Sequence, residues 1–249
     1  MNKPATTHFG FREVPVAEKQ QLVGHVFTSV AKRYDLMNDL MSFGVHRLWK
    51  RFFVATCGVR AGDRVLDLAG GTGDIAALLH PQVGNKGQIT VGDINAAMLD
   101  VGRARLTDRG LVGQLDWVQM NAESLPCADT SFDTVTIAFG LRNVTDKDQA
   151  LREMYRVLRP GGQAVILEFS RLTQAWMQPL YDLHSFQILP RLGRLFANDA
   201  ESYRYLAESI RKHPDQATLK AMMQDAGFAE ISVHNLSAGL VAIHRGYRL

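Results

Sequence analysis

Arg64-Val65-Leu66-Asp67-Leu68-Ala69-Gly70-Gly71-Thr72-Gly73-Asp74-Ile75-Ala76 is the stretch on which the fold turns. Its first five residues make a short buried-strand run, its glycines a turn, and a helix follows. Gly71-Thr72-Gly73-Asp74-Ile75-Ala76 matches G-x-G-x-x-A. Such a loop lets a ligand approach the backbone closely, because glycine has no side chain in the way. Asp93 ends the next strand, 93 − 73 = 20 residues beyond Gly73, where a carboxylate can accept hydrogen bonds from ribose hydroxyls. A glycine turn that merely tightens strand-to-helix packing is the plainer alternative, and Asp93 argues against it. Loop and acid suit a dinucleotide dehydrogenase as well, so alone they do not choose the ligand.

Outward from this stretch, strands and helices alternate. Gln88–Asp93, Leu115–Gln119, Phe132–Ala138 and Ala164–Phe169 read as strands, with helices through Met98 and Leu99 and around Ala150–Val157. The pattern predicts an α/β fold whose parallel sheet is covered on both faces. After a helix near Ala217–Ala226, Ile231–Leu236 and Leu240–His244 flank Ser237-Ala238-Gly239, which predicts an antiparallel pair closing the sheet. Residues 1–20 read as a loose, flexible arm. Between Gln21 and Phe53, apolar residues at helical spacing predict two or three helices broken near Ser42-Phe43-Gly44. The expected organisation is one domain over 21–249, with a helical cap over 21–56 and a covering insertion over 171–213. That insertion carries Trp176, Tyr181, Phe186, Phe196, Tyr203 and Tyr205, too apolar a set for a linker.

Composition narrows the classes. The 249 residues carry 28 basic and 25 acidic side chains, a net charge of +3, which does not demand nucleic acid. Two cysteines, Cys57 and Cys127, make neither a disulfide framework nor a CxxC, and no histidine pair forms HExxH, so no metal is expected. A reducing cytoplasm is the expected location. The opening residues are polar, unlike a signal peptide, and no apolar run approaches the roughly 20 residues of a spanning helix.

Asp67 tips the ligand choice. It stands just before the glycine turn, where a pyrophosphate would be repelled by an added carboxylate. S-adenosylmethionine has no phosphate; it carries a sulfonium and an ammonium that an acid favours. The ammonium belongs near Asp67, bridged by water, although the same carboxylate can also tie the loop together. Asn121-Ala122-Glu123-Ser124-Leu125-Pro126 follows the third strand, within reach of an adenine edge. Arg156-Val157-Leu158-Arg159-Pro160-Gly161-Gly162 makes a helix end and turn before the fifth strand. In this order the blocks resemble class I S-adenosylmethionine-dependent methyltransferases. That resemblance implies a Rossmann-like, seven-stranded, mostly parallel sheet with a terminal antiparallel hairpin and a helical N-terminal cap.

A narrower resemblance covers nearly the whole chain from Thr7. Phe27–Asn38, Ser42–Lys50, Phe139-Gly140-Leu141-Arg142-Asn143-Val144-Thr145-Asp146, Met154–Gly162, Tyr203–Ile210 and His244–Tyr247 are similar to the ubiquinone/menaquinone biosynthesis C-methyltransferases. The resemblance implies cofactor contacts at Thr72, Asp93, Asn121 and Ala122, joined by Asp67, Gly71 and Gly73 from the loop reading. Many members have a serine where this chain has Ala138. It also implies methylation of a ring carbon on polyprenylated quinols: demethylmenaquinol, and 2-polyprenyl-6-methoxy-1,4-benzoquinol.

Such a carbon is a poor nucleophile until a ring hydroxyl loses its proton, and a phenol has a pKa near 10. Arg142 is the candidate charge for the phenolate, with Asn143 and Tyr34 orienting a water or the quinol; Asp35 and His46 are further candidate bases. The plain alternatives are a salt bridge from Arg142 to Asp146 or Asp148, a cap-pinning Tyr34 and a packing His46. Arg47, Lys50 and Arg51 read as a solvated face, or more sharply as a contact for lipid headgroups. A nicotinamide dehydrogenase is weakened by Asp67. A nucleic-acid methyltransferase is weakened by the absence of an Asn-Pro-Pro-Tyr run, and a non-catalytic cofactor-binding scaffold by Arg142-Asn143 with Asp93. Expected partners are the quinol and, in weak peripheral contact at its inner face, a membrane; a homodimer or a quinone-biosynthesis assembly is left open.

Overall fold

The computed structural model describes residues 6–30, 42, 44–174, 176, 178–183 and 200–249. Two strands, β1 (Thr6–Phe9) and β2 (Arg12–Pro15), pair antiparallel and lead into α1 (Val16–Val30). After α2 (His46–Cys57) come β3 (Arg64–Leu68), α3 (Asp74–Val83), β4 (Gln88–Asp93), α4 (Ala96–Asp108), β5 (Leu115–Gln119) and β6 (Phe132–Ala138). Then follow α5 (Lys147–Val157), β7 (Leu158–Phe169), α6 (Gln178–Leu183), α7 (Ala200–Lys212), α8 (Gln216–Asp225), β8 (Ala229–Leu236) and β9 (Val241–Tyr247).

The main sheet has seven strands in the order β5-β4-β3-β6-β7-β9-β8. The first five pair parallel, and β9 joins β7 and β8 antiparallel. Both faces are apolar, so consecutive residues serve opposite cores. Val65 packs with Trp49, Phe53, Ile75 and Leu79 on the side of α2 and α3. Leu66 packs with Leu151, Met154, Leu219 and Met223 on the side of α5 and α8. The chain leaves β3 toward β4 and β5, then returns to place β6 on the other side of β3. Loops after β3 and β6 therefore diverge, opening the crevice where open α/β sheets bind ligands.

The glycine loop shows why its residues are small. Gly73 precedes α3 with φ +79°, and a Cβ there would lie 2.7 Å from the Trp117 ring. A Cβ on Gly102 of α4 would meet the same ring at 2.7 Å. Trp117, on β5, thus occupies the space vacated by two glycines and locks the loop against α4.

Several boundaries differ from the sequence reading. The arm expected over residues 1–20 is, from residue 6, the β1–β2 hairpin followed by the start of α1. Phe9 is buried there and stacks on Tyr205 with ring centroids 4.1 Å apart, a contact between distant parts of the chain that no local pattern announces. β7 begins at Leu158 because Leu158 pairs with Phe132 before an irregularity in the ladder. Within the 171–213 segment, Phe186 and Phe196 lie outside the described residues, while Tyr203 and Tyr205 are buried and Trp176 is exposed. The closing hairpin stands as expected, turning through Ser237–Gly239.

Gly73→Ala adds left-handed backbone strain to a collision with Trp117. It is expected to lower unfolding stability by about 2–4 kcal/mol, measured by denaturant melts. Unchanged stability would mean that the ring moves aside without cost.

Candidate active site

The crevice holds a cavity of about 300 Å³, within the range of small-molecule sites. Its floor is the β3 end and glycine loop, Asp67 to Thr72; its sides are Asp93–Asn95, Met120–Glu123 and Ala138–Gly140 with Asn143–Thr145. One face of α1, through Val16, Gln20, Val23, Gly24 and Phe27, closes it from above.

Asp93 organises the floor. Its Oδ2 accepts from the Gly71 amide at 2.9 Å, and its Oδ1 accepts from the Asn95 amide at 2.8 Å. Burial pushes its carboxyl up, while the Asn95, Gly71 and Ile94 amides pull the other way. Asn95 caps α4 by accepting from the amides of Ala97 and Met98. Its Nδ2 donates to the Gly24 carbonyl at 3.2 Å and the Thr28 hydroxyl at 3.0 Å. One side chain thus ties floor and roof together.

Asp67 is fully buried. Its Oδ1 accepts from the Thr136 hydroxyl at 2.8 Å, and its Oδ2 has no hydrogen-bond partner among the described residues. Burial, opposed by the Thr136 hydroxyl and reinforced by Asp93 and Asp74, pushes its carboxyl up to about 7. An unpartnered carboxylate oxygen beside a ligand cavity suits a cationic group.

Thr72 and Ala122 both line the cavity. So does Asn121, whose Oδ1 accepts from the Glu123 amide at 3.0 Å, so its carbonyl end is spent within its own turn. Gly71 lines the cavity; Gly73 does not, because its role is the packing against Trp117. Ala138 lines the wall without a hydroxyl.

Asn143 reaches the cavity and its Oδ1 accepts from the Tyr205 hydroxyl at 2.9 Å. Its neighbour Arg142 does not line the cavity. Arg142 is buried behind the wall, where Nη1 donates to Glu168 Oε1 at 2.9 Å and to the Phe139 carbonyl. The salt bridge weighed for it at Asp146 or Asp148 is made to Glu168 instead, which also accepts from the Arg142 amide. Arg142 Nε has no hydrogen-bond partner among the described residues. Glu168 was legible as an acid inside the apolar run Ala164–Phe169, yet nothing local named its partner.

Tyr34 and Asp35 fall outside the described residues. His46 is buried at the start of α2: its Nδ1 lies 2.9 Å from the Ser42 hydroxyl, which also accepts from the His46 amide. Lys50 departs from its expected solvated face. It turns inward to bind Asp74 at 2.6 Å, and Arg105 binds the other carboxylate oxygen at 2.5 Å. Burial alone would raise the Asp74 carboxyl, but these two cations hold it at about 2.

Among the described residues the cavity wall therefore carries the acids Asp67, Asp74, Asp93 and Glu123 and one cation, Lys50, which is paired with Asp74. That balance repels a pyrophosphate and favours a ligand bearing positive charge. Fold and site define a class I S-adenosylmethionine-dependent methyltransferase.

Comparison with known proteins narrows the class. Residues 15–248 match the model of the ubiE/COQ5 methyltransferase family, and the chain belongs to that family. It is 69% identical over 244 residues to the ubiquinone/menaquinone biosynthesis C-methyltransferase UbiE of Xanthomonas axonopodis pv. citri, covering 98% of this chain and 96% of that one. Solved structures share the fold at low identity. A SAM-dependent methyltransferase from Aquifex aeolicus aligns with TM-score 0.62 and 16% identity over 89% of this chain and 98% of that one. Haemonchus contortus phosphoethanolamine N-methyltransferase 2, in complex with S-adenosyl-L-methionine, aligns with TM-score 0.59 and 15% identity over 80% of this chain and 52% of that one.

Because Asp67 holds a proton near neutrality in the free protein, a cationic ligand must displace it. Affinity for S-adenosylhomocysteine, which keeps the ammonium, is expected to rise as pH climbs through about 7 and then level off. Asp67→Asn should flatten that rise. The variant should also melt higher than wild type at pH 8, where it lacks the buried charge, and equally near pH 4. Calorimetric titration and thermal melts at both pH values check both; a pH rise that survives in Asp67→Asn excludes this carboxylate as its source.

Proposed function

We propose that this enzyme transfers a methyl group from S-adenosylmethionine to a ring carbon of a polyprenylated quinol. The products are menaquinol from demethylmenaquinol and the 3-methyl product of 2-polyprenyl-6-methoxy-1,4-benzoquinol. The observation that carries the reading is one cavity lined by Asp67, whose Oδ2 has no partner among the described residues, by loop-bound Asp93 and by Asn143. S-adenosylmethionine, when bound, supplies an electrophilic methyl on a positively charged sulfur. Asp93 takes the ribose hydroxyls with its remaining lone pairs, and the Gly71-Thr72 backbone permits close approach. Asp67 receives the ammonium. Asn121, Ala122, Ile94 and Met120 bound the space for the adenine. Asn143 meets the ring oxygen that must become anionic, and Arg142 acts from behind the wall as a fixed charge shared with Glu168. Tyr34 keeps its proposed role in orienting water or quinol.

Holding sulfur, methyl and carbon in line contributes several kcal/mol on its own. The remaining task is the phenolate, which is why the proposal places donors and charge at the β6 end. The cap and the 171–213 segment are proposed to shelter the prenyl tail.

Among the described residues no helix is long and apolar enough to cross a membrane. A surface contact fits better. On α2, Leu48 and Phe52 are 62% and 48% exposed one turn apart, beside exposed Arg47 and Arg51, and the helix contains no acid. Trp176 is 75% exposed, and its segment is tied through Thr173 to the Ser237–Gly239 turn that also holds Trp49. An apolar stripe flanked by arginines matches an anionic lipid surface.

Incubation with labelled methyl donor and quinols bearing zero to three prenyl units should show kcat/KM rising over the first units and then levelling off. A flat series means that the tail stays in the bilayer. Arg142→Lys should lower kcat more than cofactor affinity, since it keeps charge and loses the planar fork; a folded variant with normal turnover leaves Arg142 purely structural. Sedimentation with phosphatidylglycerol vesicles should recover the protein weakly and reversibly, and Leu48→Glu with Phe52→Glu should abolish that recovery. Equal recovery of both proteins removes α2 as the contact.

A further inference from the structure

Tyr205 of α7 is not on the cavity wall, yet it touches a residue that is. Its hydroxyl and Asn143 Oδ1 are 2.9 Å apart, and Tyr205 is buried. A tyrosine hydroxyl can donate or accept, and an amide can present either end, so the bond has two possible orders. Burial decides between them. In the first order the hydroxyl donates to Oδ1, and every buried proton of the pair has an acceptor or faces the cavity. In the reverse order Nδ2 donates to the hydroxyl, and the buried tyrosine proton has no acceptor among the described residues, the costlier outcome. Burial also pushes the phenol far above its usual range, so it keeps its proton.

We infer that Tyr205 is a positioning residue that fixes Asn143 with its NH₂ group toward the cavity, so that the amide meets the substrate as a hydrogen-bond donor. A donor at that place stabilises a ring oxygen as it gains negative charge; an acceptor there would oppose ionisation. The inference rests on the quinol reading above and deepens it by assigning the polarity of Asn143 and the residue that sets it.

The brace behind Tyr205 is the N-terminal hairpin. The Phe9 ring stacks on the Tyr205 ring, and the Phe11 amide donates to Glu208 Oε2 at 3.0 Å, one turn further along α7. The hairpin thus supports the catalytic wall through two intermediates, touching neither cofactor nor quinol.

The test is a double-mutant cycle with Tyr205→Phe, which keeps the stack on Phe9, and Asn143→Ala. Tyr205→Phe should lower kcat about tenfold, as expected for one net hydrogen bond. Affinity for S-adenosylhomocysteine should stay within about twofold. Asn143→Ala should cost about 10²–10³-fold, in the range of a lost oxyanion donor. The double variant should be no slower than Asn143→Ala, because Tyr205 acts through Asn143 alone. With a naphthoquinol acidified by fluorine on its fused ring, the Tyr205→Phe penalty should shrink; a merely structural defect would slow both quinols equally. Independently of turnover, the two Asn143 side-chain NH₂ signals should shift and broaden in Tyr205→Phe, as the freed amide samples both flips about its Cβ–Cγ bond.

Unchanged kcat, additive losses or unchanged amide signals overturn the inference. If wild type methylates no quinol, the functional reading fails, and the amide signals still decide the orientation of Asn143.

Discussion

Everything at the ligand end of this sheet hangs on the carboxylate of Asp93. One oxygen holds the Gly71 amide and so the glycine loop; the other holds the Asn95 amide and so the cap of α4. The donors are backbone N–H groups, which cannot move without moving the loops themselves. An acid in this position shapes the cavity before it touches a ligand. Its burial is tolerable because those amides offset the lost hydration.

The same economy of charge runs through the site. Asp74 is held by two cations, Lys50 and Arg105, and Arg142 is paired with Glu168. Asp67 is different: burial raises its carboxyl, and among the described residues no cation offsets it. Two acids in one crevice thus differ widely, Asp74 held low by its cations and Asp67 raised by burial.

How much of this was legible in the sequence follows from range along the chain. The five parallel strands, the closing hairpin and the glycine loop rest on local patterns, a short apolar run or a glycine at a turn, and they fall where those patterns put them except that β7 starts earlier, at Leu158. The acid at Asp93 was equally local. Hidden were pairings across long stretches of chain. Lys50 looked solvated because its partner Asp74 lies 24 residues away across a helix interface. Gly73 looked like a ligand contact because Trp117, which fills its space, belongs to another strand. The first residues looked loose because Phe9 finds its ring partner nearly two hundred positions later. Arg142 was singled out by family likeness, but only the fold shows it paired with Glu168 and set back from the cavity.

Asn95 carries a last consequence. Its amide oxygen caps α4, its backbone amide is held by Asp93, and its amide nitrogen grips α1 at Gly24 and Thr28. The acid on the cavity floor and the helix that closes over it are therefore coupled through one side chain. By linkage, a ligand that binds more tightly when α1 is held to the floor returns the same free energy to α1. A disturbance at either end of Asn95 is therefore felt at the other, so the cavity floor and the helix above it move as one piece.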